Sequence, residues 1–299
     1  MSTPKKGTAA HYDAIAEHYG EQYRRENLIS AAEYPANFFR LEILKRRLAH
    51  AQCKSVYEVG VGEGTPLVEI AKLGIRVAGC DIANNMVNAA RQNFQAHGLN
   101  PDSVQWGNIE DRTSFQNQLA DGQFDAAIAA GVLPHINDDA LFLKNLALIV
   151  RPGGKIFVEF RNKLFSLFTF NRYTKDFILD DLLAQVSADT KKAVADELNG
   201  RIATDLPPVR KTVEGSDAPG YDTILSKFHN PFEIIPFFEQ RGYRNPTIHW
   251  YHYHPAPPML ERSLGRKFRE DGMALEHENS WRGYFLCSAG VVEAERHAP

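Results

Sequence analysis

The chain has 299 residues, of which 43% are hydrophobic and 24% charged, which fits one large globular domain or a domain with an insertion. Its 34 basic and 37 acidic residues give a net charge of −3, so a general surface for nucleic acid is not expected. Three cysteines without C-x-x-C spacing argue against structural zinc, and no uncharged apolar run reaches the roughly 18 residues of a membrane span. No apolar leader pattern is present, so we expect a cytoplasmic protein with no membrane partner.

The first 50 residues have a helical pattern and precede any strand signal. Apolar side chains recur three and four residues apart in two stretches, around residues 12–19 and 38–48. We therefore predict an N-terminal helical cap over residues 1–50.

A strand, a glycine-rich turn and a helix follow the cap. KSVYEV (54–59) predicts a short buried strand, which ends where Gly60, Gly62 and Gly64 alternate with other residues. Thr65 and Pro66 suit the N-cap and first position of the next helix. We expect a Cβ at any of the three glycines to occupy space that a ligand needs.

The alternation of strands and helices continues as far as residue 160. Four further strands are predicted at GIRVAGCD (74–81), SVQWGN (103–108), FDAAIAAG (124–131) and KIFVEF (155–160). Helices are predicted over 83–98 and 138–150, and RPGG (151–154) predicts a turn. Five rounds of this pattern predict a parallel, doubly wound α/β sheet over residues 51–160.

The pattern breaks after residue 160 and resumes near residue 230. Residues 161–229 contain helical patches and polar loops, and we predict an inserted lid or substrate subdomain there. A helix over 230–243 and strands over 247–254 and 283–294 would complete a seven-stranded sheet within residues 230–299.

The acids around the glycine turn indicate the charge of its ligand. A dinucleotide site would have its third glycine at position 65, where this chain has Thr65. Glu58 and Glu63 would repel a pyrophosphate, whereas they would attract a ligand that carries an ammonium group.

Polar and apolar residues at the next two strand ends suggest a nucleoside. Asp81 ends the second strand 21 residues after Gly60, where a carboxylate can accept hydrogen bonds from ribose hydroxyls, or alternatively can cap the next helix. Ile82 and Met86 either flank a purine or belong to the core, and Asn108 offers an amide to an adenine edge.

Taken together, these motifs resemble those of the class I S-adenosylmethionine-dependent methyltransferases of the small-molecule type. The resemblance rests on E-x-G-x-G-x-G, the Asp81-Ile82 step with ANNMVNAAR, GNIED, FDAAIAAGVLPHI and VRPGGKIFVEF, in this order. It covers residues 10–160 well and 230–294 more loosely. It implies a Rossmann-like fold and S-adenosyl-L-methionine as cofactor, with S-adenosyl-L-homocysteine as product. The residues implied at the cofactor are Glu58, Gly60, Gly62, Gly64, Asp81, Ile82, Met86, Asn108, Ile109 and Ala130.

The resemblance also assigns parts within the site. Glu58 and the glycines would hold the methionine end, Asp81 the ribose, and Ile82, Asn108 and Ile109 the adenine. Family members more often carry Asp where Asn108 stands, although the amide oxygen can still accept from the adenine amino group.

Candidates for catalysis lie after the fourth strand and in the N-terminal helices. Methyl transfer from a sulfonium requires in-line positioning and exclusion of water, and a base helps if the acceptor is a hydroxyl. We assign His135 and Tyr19 as catalytic candidates and Tyr12 as a substrate contact. The alternative for each is an ordinary packing role.

Further substrate contacts are predicted in the insertion and in the sixth strand. RNKLFSLFTFNRYTK (161–175) is basic and aromatic, and we expect Arg161, Phe165 and Arg172 to meet an anionic acceptor, unless this is only an amphipathic helix. His252 and His254 share one face of a strand and predict a polar aromatic wall. We expect no metal site, because no third ligand is evident.

The acceptor class follows from motifs that the chain lacks. AAGVLP after the fourth strand is not an N-P-P-Y type motif, and no Pro-Cys pair is present, so nucleobases are disfavoured. We expect O-methylation of a sugar, a nucleotide-linked sugar or a natural-product intermediate by a monomer or homodimer. The alternatives are an N- or C-methyltransferase, a protein or tRNA methyltransferase, and a catalytically silent regulator that binds the donor.

Overall fold

The computed structural model describes residues 3–30, 36–120, 122–277 and 279–297, with side chains described from residue 7 onward except at 17–20 and 30. Within these residues, seven strands form one sheet. They are β1 (Ser55–Val59), β2 (Arg76–Asp81), β3 (Val104–Trp106), β4 (Phe124–Ala129), β5 (Val150–Arg161), β6 (Tyr243–Tyr253) and β7 (Cys287–Arg296). The strand order is β3-β2-β1-β4-β5-β7-β6, and β7 runs antiparallel to both of its neighbours while the pairs among β1–β5 are parallel. The predicted mostly parallel, doubly wound sheet is confirmed.

Helices cover both faces of this sheet. Before β5 they are α1 (Thr3–Ile15), α2 (Asn27–Ser30), α3 (Ala36–His50), α4 (Thr65–Ala71), α5 (Asn84–Ala96) and α6 (Asp139–Ile149). After it they are α7 (Ser166–Thr169), α8 (Arg172–Asp176), α9 (Ala188–Arg201), α10 (Pro231–Glu239), α11 (Glu261–Leu264), α12 (Arg266–Leu275) and α13 (Gly283–Leu286). In the part of the chain that the structure describes, no helix is long and apolar enough to cross a membrane.

Alternation along β1 sends its side chains to two separate core clusters. Tyr57 and Val59 pack in one cluster with the buried face of α6, and Val56 packs in the other with α3, α4 and α5. Because side chains in a strand alternate between faces, Glu58 points to the same side as Val56, toward α3. The fold therefore places an acid under a helix at the end of the first strand.

Several predicted boundaries are wrong. The N-cap of α4 is Gly64 rather than Thr65, and β5 begins at Val150, so that RPGG belongs to the strand instead of a turn. Residues 283–286, predicted as strand, form the helical turn α13, where a Cβ on Gly283 would lie 2.2 Å from Cγ of Trp250. Helices α11 and α12 have no counterpart in the sequence prediction.

The segment 161–229 continues directly from β5 and folds back toward α1. Asn162, fully buried, donates from Nδ2 to the carbonyl oxygens of Tyr284 at 2.8 Å and Cys287 at 2.9 Å, which fixes the start of the segment against β7. At its other end, the Pro219 carbonyl oxygen accepts from Nδ1 of His11 at 2.8 Å. This segment and α1 consequently meet above the carboxyl ends of the strands.

Candidate active site

A cleft opens at the carboxyl ends of β1, β2 and β4, beneath α1. This is the edge at which open α/β sheets bind ligands. Nine of the ten predicted cofactor residues line it, and so do Tyr12 and His135. Gly64 is the exception, and the side chain of Tyr19 lies outside the described residues.

The glycine turn has left-handed backbone at all three glycines, with φ of 74° at Gly60, 56° at Gly62 and 88° at Gly64. A Cβ on Gly60 would lie 2.5 Å from Cγ2 of Val132, and one on Gly64 would lie 3.1 Å from Cβ of Ala90. These contacts show that both glycines allow the turn to pack closely against its protein neighbours. That a Cβ here would also occupy ligand space stays a prediction.

Asp81 ties the glycine turn to the start of α5. Its Oδ2 accepts from the backbone N–H of Gly62 at 2.9 Å, and its Oδ1 accepts from that of Ala83 at 2.9 Å. Burial raises the pKa of Asp81 to about 6, against the lowering effect of these two hydrogen bonds. Each carboxylate oxygen has a second lone pair, so the carboxylate can organise the turn and also accept from a ligand hydroxyl.

Glu58 lies at the floor of the cleft and is 1% exposed. Its Oε2 is buried and has no hydrogen-bond partner. Burial raises the pKa of the Glu58 carboxyl to about 8, and Arg40 lowers it less than burial raises it. Burying a hydrogen-bond acceptor without a donor costs free energy, and a ligand that donates a hydrogen bond to Oε2 would remove this cost.

Arg40 is a cleft residue that the sequence analysis missed. It projects from α3, pairs with Glu159 and donates to the Tyr23 hydroxyl at 3.0 Å, while the Tyr251 hydroxyl donates to Glu159 at 2.6 Å. A signal was present, because Arg40 precedes the buried Leu44 by four residues on the apolar face of a predicted helix. An arginine on such a face needs a buried acidic partner.

Asn108 uses its amide oxygen locally. Oδ1 accepts from the backbone N–H of Glu110 at 3.1 Å, and the Asn108 backbone N–H donates to Ser114 Oγ at 2.8 Å. The amide nitrogen remains to donate into the cleft, in addition to the second lone pair of the oxygen.

His135 is fixed at both ring nitrogens. Nδ1 lies 2.6 Å from the Leu225 carbonyl oxygen, and Nε2 lies 2.9 Å from the Tyr12 hydroxyl. A carbonyl can only accept, so Nδ1 carries the proton and Nε2 accepts from Tyr12. Burial, with smaller effects of Arg161 and His11, lowers the pKa of His135 to about 4, which leaves it neutral with a lone pair at neutral pH.

The other predicted substrate residues do not line the cleft. Arg172 donates to the Pro207 carbonyl oxygen at 3.2 Å and lies 3.4 Å from Asp222. The remaining aromatic candidates form their own cluster: the ring centroids of Phe165 and His254, and of His252 and His254, are each 4.5 Å apart. Among the described residues, no group of three or more His, Cys, Asp or Glu side chains is arranged to hold a metal ion.

Arg161 differs from Arg172 in its partners. Its guanidinium lies over the Tyr221 ring at 4.3 Å and donates to Ser226 Oγ at 3.3 Å. No described carboxylate forms an ion pair with it. The Tyr221 ring stands edge-on to His135 at 5.8 Å, so one ring separates this cation from the cleft.

Comparisons with known proteins agree with this architecture. Residues 57–158 match the family model described as a methyltransferase domain. The ubiquinone biosynthesis O-methyltransferase of Xanthomonas axonopodis pv. citri is 33% identical over 128 residues, which are 42% of this chain and 51% of the relative. A protein of the same name from Coxiella burnetii (strain RSA 331 / Henzerling II) is 27% identical over 219 residues, covering 73% of this chain and 75% of the relative. The chain thus spans about half the length of the first of these curated relatives.

Two solved structures show the same fold. The DhpI complex with SAH matches with a TM-score of 0.52 and 15% identity over 100% of both chains. Magnesium protoporphyrin IX methyltransferase from Synechocystis PCC 6803, with bound SAH, matches with a TM-score of 0.51 and 14% identity over 98% of this chain and 99% of its own. Residues 57–158 are therefore similar to a methyltransferase domain, in agreement with the family that the sequence motifs resemble.

Proposed function

We propose that this protein transfers a methyl group from S-adenosyl-L-methionine to a hydroxyl of a small-molecule acceptor and releases S-adenosyl-L-homocysteine. The observation that carries the proposal is the pair of buried carboxylates, Glu58 and Asp81, at two adjacent strand ends in one cleft. The names of the curated relatives, which are O-methyltransferases, support a hydroxyl as acceptor.

The charges in the cleft fit this cofactor. The buried Oε2 of Glu58, which has no hydrogen-bond partner, fits a cationic donor such as the methionine ammonium. Asp81 has lone pairs for the ribose hydroxyls. A pyrophosphate has no donor to offer Oε2 of Glu58 and would bring negative charge beside the Asp81 carboxylate, which disfavours a dinucleotide.

The chain's own residues have to position the acceptor and accept its proton. S-adenosylmethionine supplies a methyl group on a sulfonium, which is already a strong electrophile. The cleft under α1 would hold the acceptor hydroxyl in line with the methyl group and away from water. The Tyr12 hydroxyl donates to Nε2 of His135, so the proton would travel by way of Tyr12. Tyr12 would give its own proton to Nε2 and take the proton of the acceptor hydroxyl.

A base with a pKa near 4 is sufficient for this reaction. As the new C–O bond forms, the acceptor oxygen becomes positively charged and strongly acidic, so even a weak base can take the proton. The Leu225 carbonyl, which accepts from Nδ1, stabilises the imidazolium that results.

For the acceptor itself, we propose a sugar, a nucleotide-linked sugar or a natural-product intermediate that carries an anionic group. Arg161 supports the anion, because it has no described acidic partner, whereas Arg172 is already paired with Asp222. N- or C-methylation of a similar metabolite remains the second candidate, since positioning and exclusion of water serve it equally.

The test combines donor binding with the fate of the methyl group. Wild-type protein and Asp81→Asn would be titrated with S-adenosylhomocysteine, and then incubated with methyl-labelled S-adenosylmethionine and a metabolite extract. We expect binding that weakens at least tenfold in the variant, about 1.4 kcal/mol, and label in a small anionic metabolite.

Three results would count against the proposal. Failure of the wild type to bind S-adenosylhomocysteine would remove the donor. Label found only in protein or RNA would remove the small-molecule acceptor. Binding of S-adenosylmethionine with no turnover in any extract would indicate a protein that binds the donor without catalysing methyl transfer.

A further inference from the structure

Glu58 is buried among charged groups that do not satisfy it. Arg40 is committed to Glu159 and to the Tyr23 hydroxyl. Asp81 already accepts from two backbone N–H groups. Glu63 accepts from Thr65 Oγ1 at 2.8 Å and from Asn93 Nδ2 at 3.2 Å. None of these neighbours supplies a hydrogen bond to the buried Oε2 of Glu58, a residue that lines the cleft.

Such an arrangement favours the neutral form of the carboxyl. Burial has the largest effect on the pKa of Glu58 and raises it to about 8; Asp81 and Glu63 raise it further, and Arg40 opposes them. At neutral pH the empty cleft therefore holds a protonated Glu58 in most molecules. A neutral carboxyl attracts an ammonium group far less than a carboxylate does.

We propose that Glu58 forms an ion pair with the ligand's ammonium group and releases its carboxyl proton as it does so. This inference rests on the function proposed above. A ligand that brings an ammonium to Oε2 converts the neutral carboxyl into a carboxylate, and the displaced proton passes to solvent. The ammonium keeps its own protons, so one O–H bond of Glu58 breaks and one ion pair forms. A nucleoside that lacks the amino-acid end leaves the proton on Glu58.

This coupling predicts a pH-dependent affinity that is specific to the amino-acid end. Below the pKa of Glu58, every ligand that carries the ammonium must displace a proton, so its dissociation constant rises tenfold for each pH unit lost. A ligand without the ammonium shows no such slope from Glu58. Proton release therefore marks ligands that carry the amino-acid end, at the cost of weaker binding of those ligands below the pKa of Glu58.

Calorimetry in two buffers of different ionisation enthalpy counts the protons released. The ligands are S-adenosylhomocysteine and 5′-methylthioadenosine, which share the nucleoside and the thioether but differ in the amino-acid end. At pH 7, a pKa of about 8 predicts release of about 0.9 proton with the first ligand. The second ligand reports on Asp81 alone, whose pKa of about 6 allows about 0.1 proton.

Glu58→Gln is the matched variant, since it keeps the shape of the side chain and cannot titrate. We expect it to bind S-adenosylhomocysteine more weakly, with no more proton release than 5′-methylthioadenosine causes in the wild type. Equal release with both ligands in the wild-type protein would overturn the proposal without need of the variant. Binding of S-adenosylhomocysteine with no proton release would also overturn it, while leaving the proposed function intact.

Discussion

The two sides of the cleft differ in how their polar side chains are satisfied. The side proposed for the donor, which we call the donor side, is formed by the ends of β1 to β3. It contains two buried acids with raised pKa values, and one of them has an oxygen without a partner. On the side proposed for the acceptor, or acceptor side, where the end of β4 meets α1 and the segment 161–229 packs against His135, polar groups are engaged with one another. His135 is bonded at both nitrogens, for example, and Arg172 faces Asp222. The donor side has a buried oxygen to which a charged ligand could donate. A molecule to be methylated would instead have to share or replace contacts that the protein already makes.

Glu58 in the cleft and His254, which lies outside the cleft just after β6, respond to pH in opposite directions. Glu58 has its pKa raised to about 8, so the folded state holds a proton that an unfolded glutamate loses near 4.5. Its contribution to stability is therefore lost as the pH rises from 4.5 to 8. His254, with its pKa lowered to about 4 chiefly by burial, contributes stability that is lost as the pH falls from 6.5 to 4.

The largest expected effect is on turnover, at His135. If it accepts the acceptor's proton, His135→Ala lowers kcat by about 10²- to 10⁴-fold, and Tyr12→Phe, which keeps the ring, lowers it less. Because the pKa of His135 is about 4, the acidic limb of the wild-type pH–rate profile is expected near pH 4 rather than 6.5. S-adenosylhomocysteine should bind both variants as it binds the wild type. Unchanged kcat in His135→Ala would reduce His135 to a packing residue.

His254 provides the next largest effect, on stability in acid. The shift from an ordinary 6.5 to about 4 corresponds to roughly 3 kcal/mol lost between neutral pH and pH 4. Denaturant unfolding at pH 7.5 and pH 4.5 should show a smaller acid loss for His254→Gln than for wild type. His97→Gln, at the exposed C-cap histidine that follows α5, is the control and should follow the wild type. Parallel curves for all three proteins would contradict this account.

Gly60 tests the close packing of the donor side. Gly60→Ala combines a left-handed backbone at φ 74° with a contact at 2.5 Å to Val132, and we expect a loss of about 2–4 kcal/mol in unfolding free energy. Gly74→Ala is the matched control, because φ is 77° and its Cβ would meet nothing within 4 Å. The control should lose only about 1–2 kcal/mol. Equal losses would show that strain alone, and not the Val132 contact, governs the position.

The donor side could be predicted because its residues lie next to strand ends along the chain. Once β1 and β2 pair in parallel, Glu58 and Asp81 must meet at one edge of the sheet, whatever the rest of the chain does. The acceptor side depends on where the segment 161–229 folds back, and no local pattern encodes the Leu225 contact with His135. Gly283 is similar: the aromatic run GYFL favours strand, but the close approach to Trp250 depends on distant packing.

Arg40 was partly predictable: the sequence pattern places its helix, but distant packing determines its partner. Its helix was predictable from periodicity, yet its partner Glu159 is on β5, 119 residues away. The pattern therefore indicated a buried arginine without indicating what it meets. Contacts between residues that are far apart in the sequence depend on the tertiary fold. They are therefore the parts of the site that the sequence pattern did not predict.

The smallest expected effect concerns the two arginines of the insertion. Both lie over a tyrosine ring, at 4.3 Å for Arg161 and 4.5 Å for Arg172, but only Arg172 has an acid nearby. If Arg161 meets the acceptor's anion, Arg161→Gln removes one charge-assisted hydrogen bond and raises the acceptor KM by roughly tenfold with kcat nearly unchanged. Arg172→Gln should leave KM within about twofold, because a partly exposed ion pair contributes at most about 1 kcal/mol.

The split between KM and kcat distinguishes this role from a structural one. Loss of the contact with Tyr221 would disturb the ring that stands against His135, and would lower kcat instead. Arg161→Lys keeps the charge but not the planar fork, so partial recovery of KM would identify charge as the recognised feature. Equal KM changes in Arg161→Gln and Arg172→Gln would mean that the insertion acts as one packed unit, and the acceptor side would then contain no dedicated anion contact at Arg161.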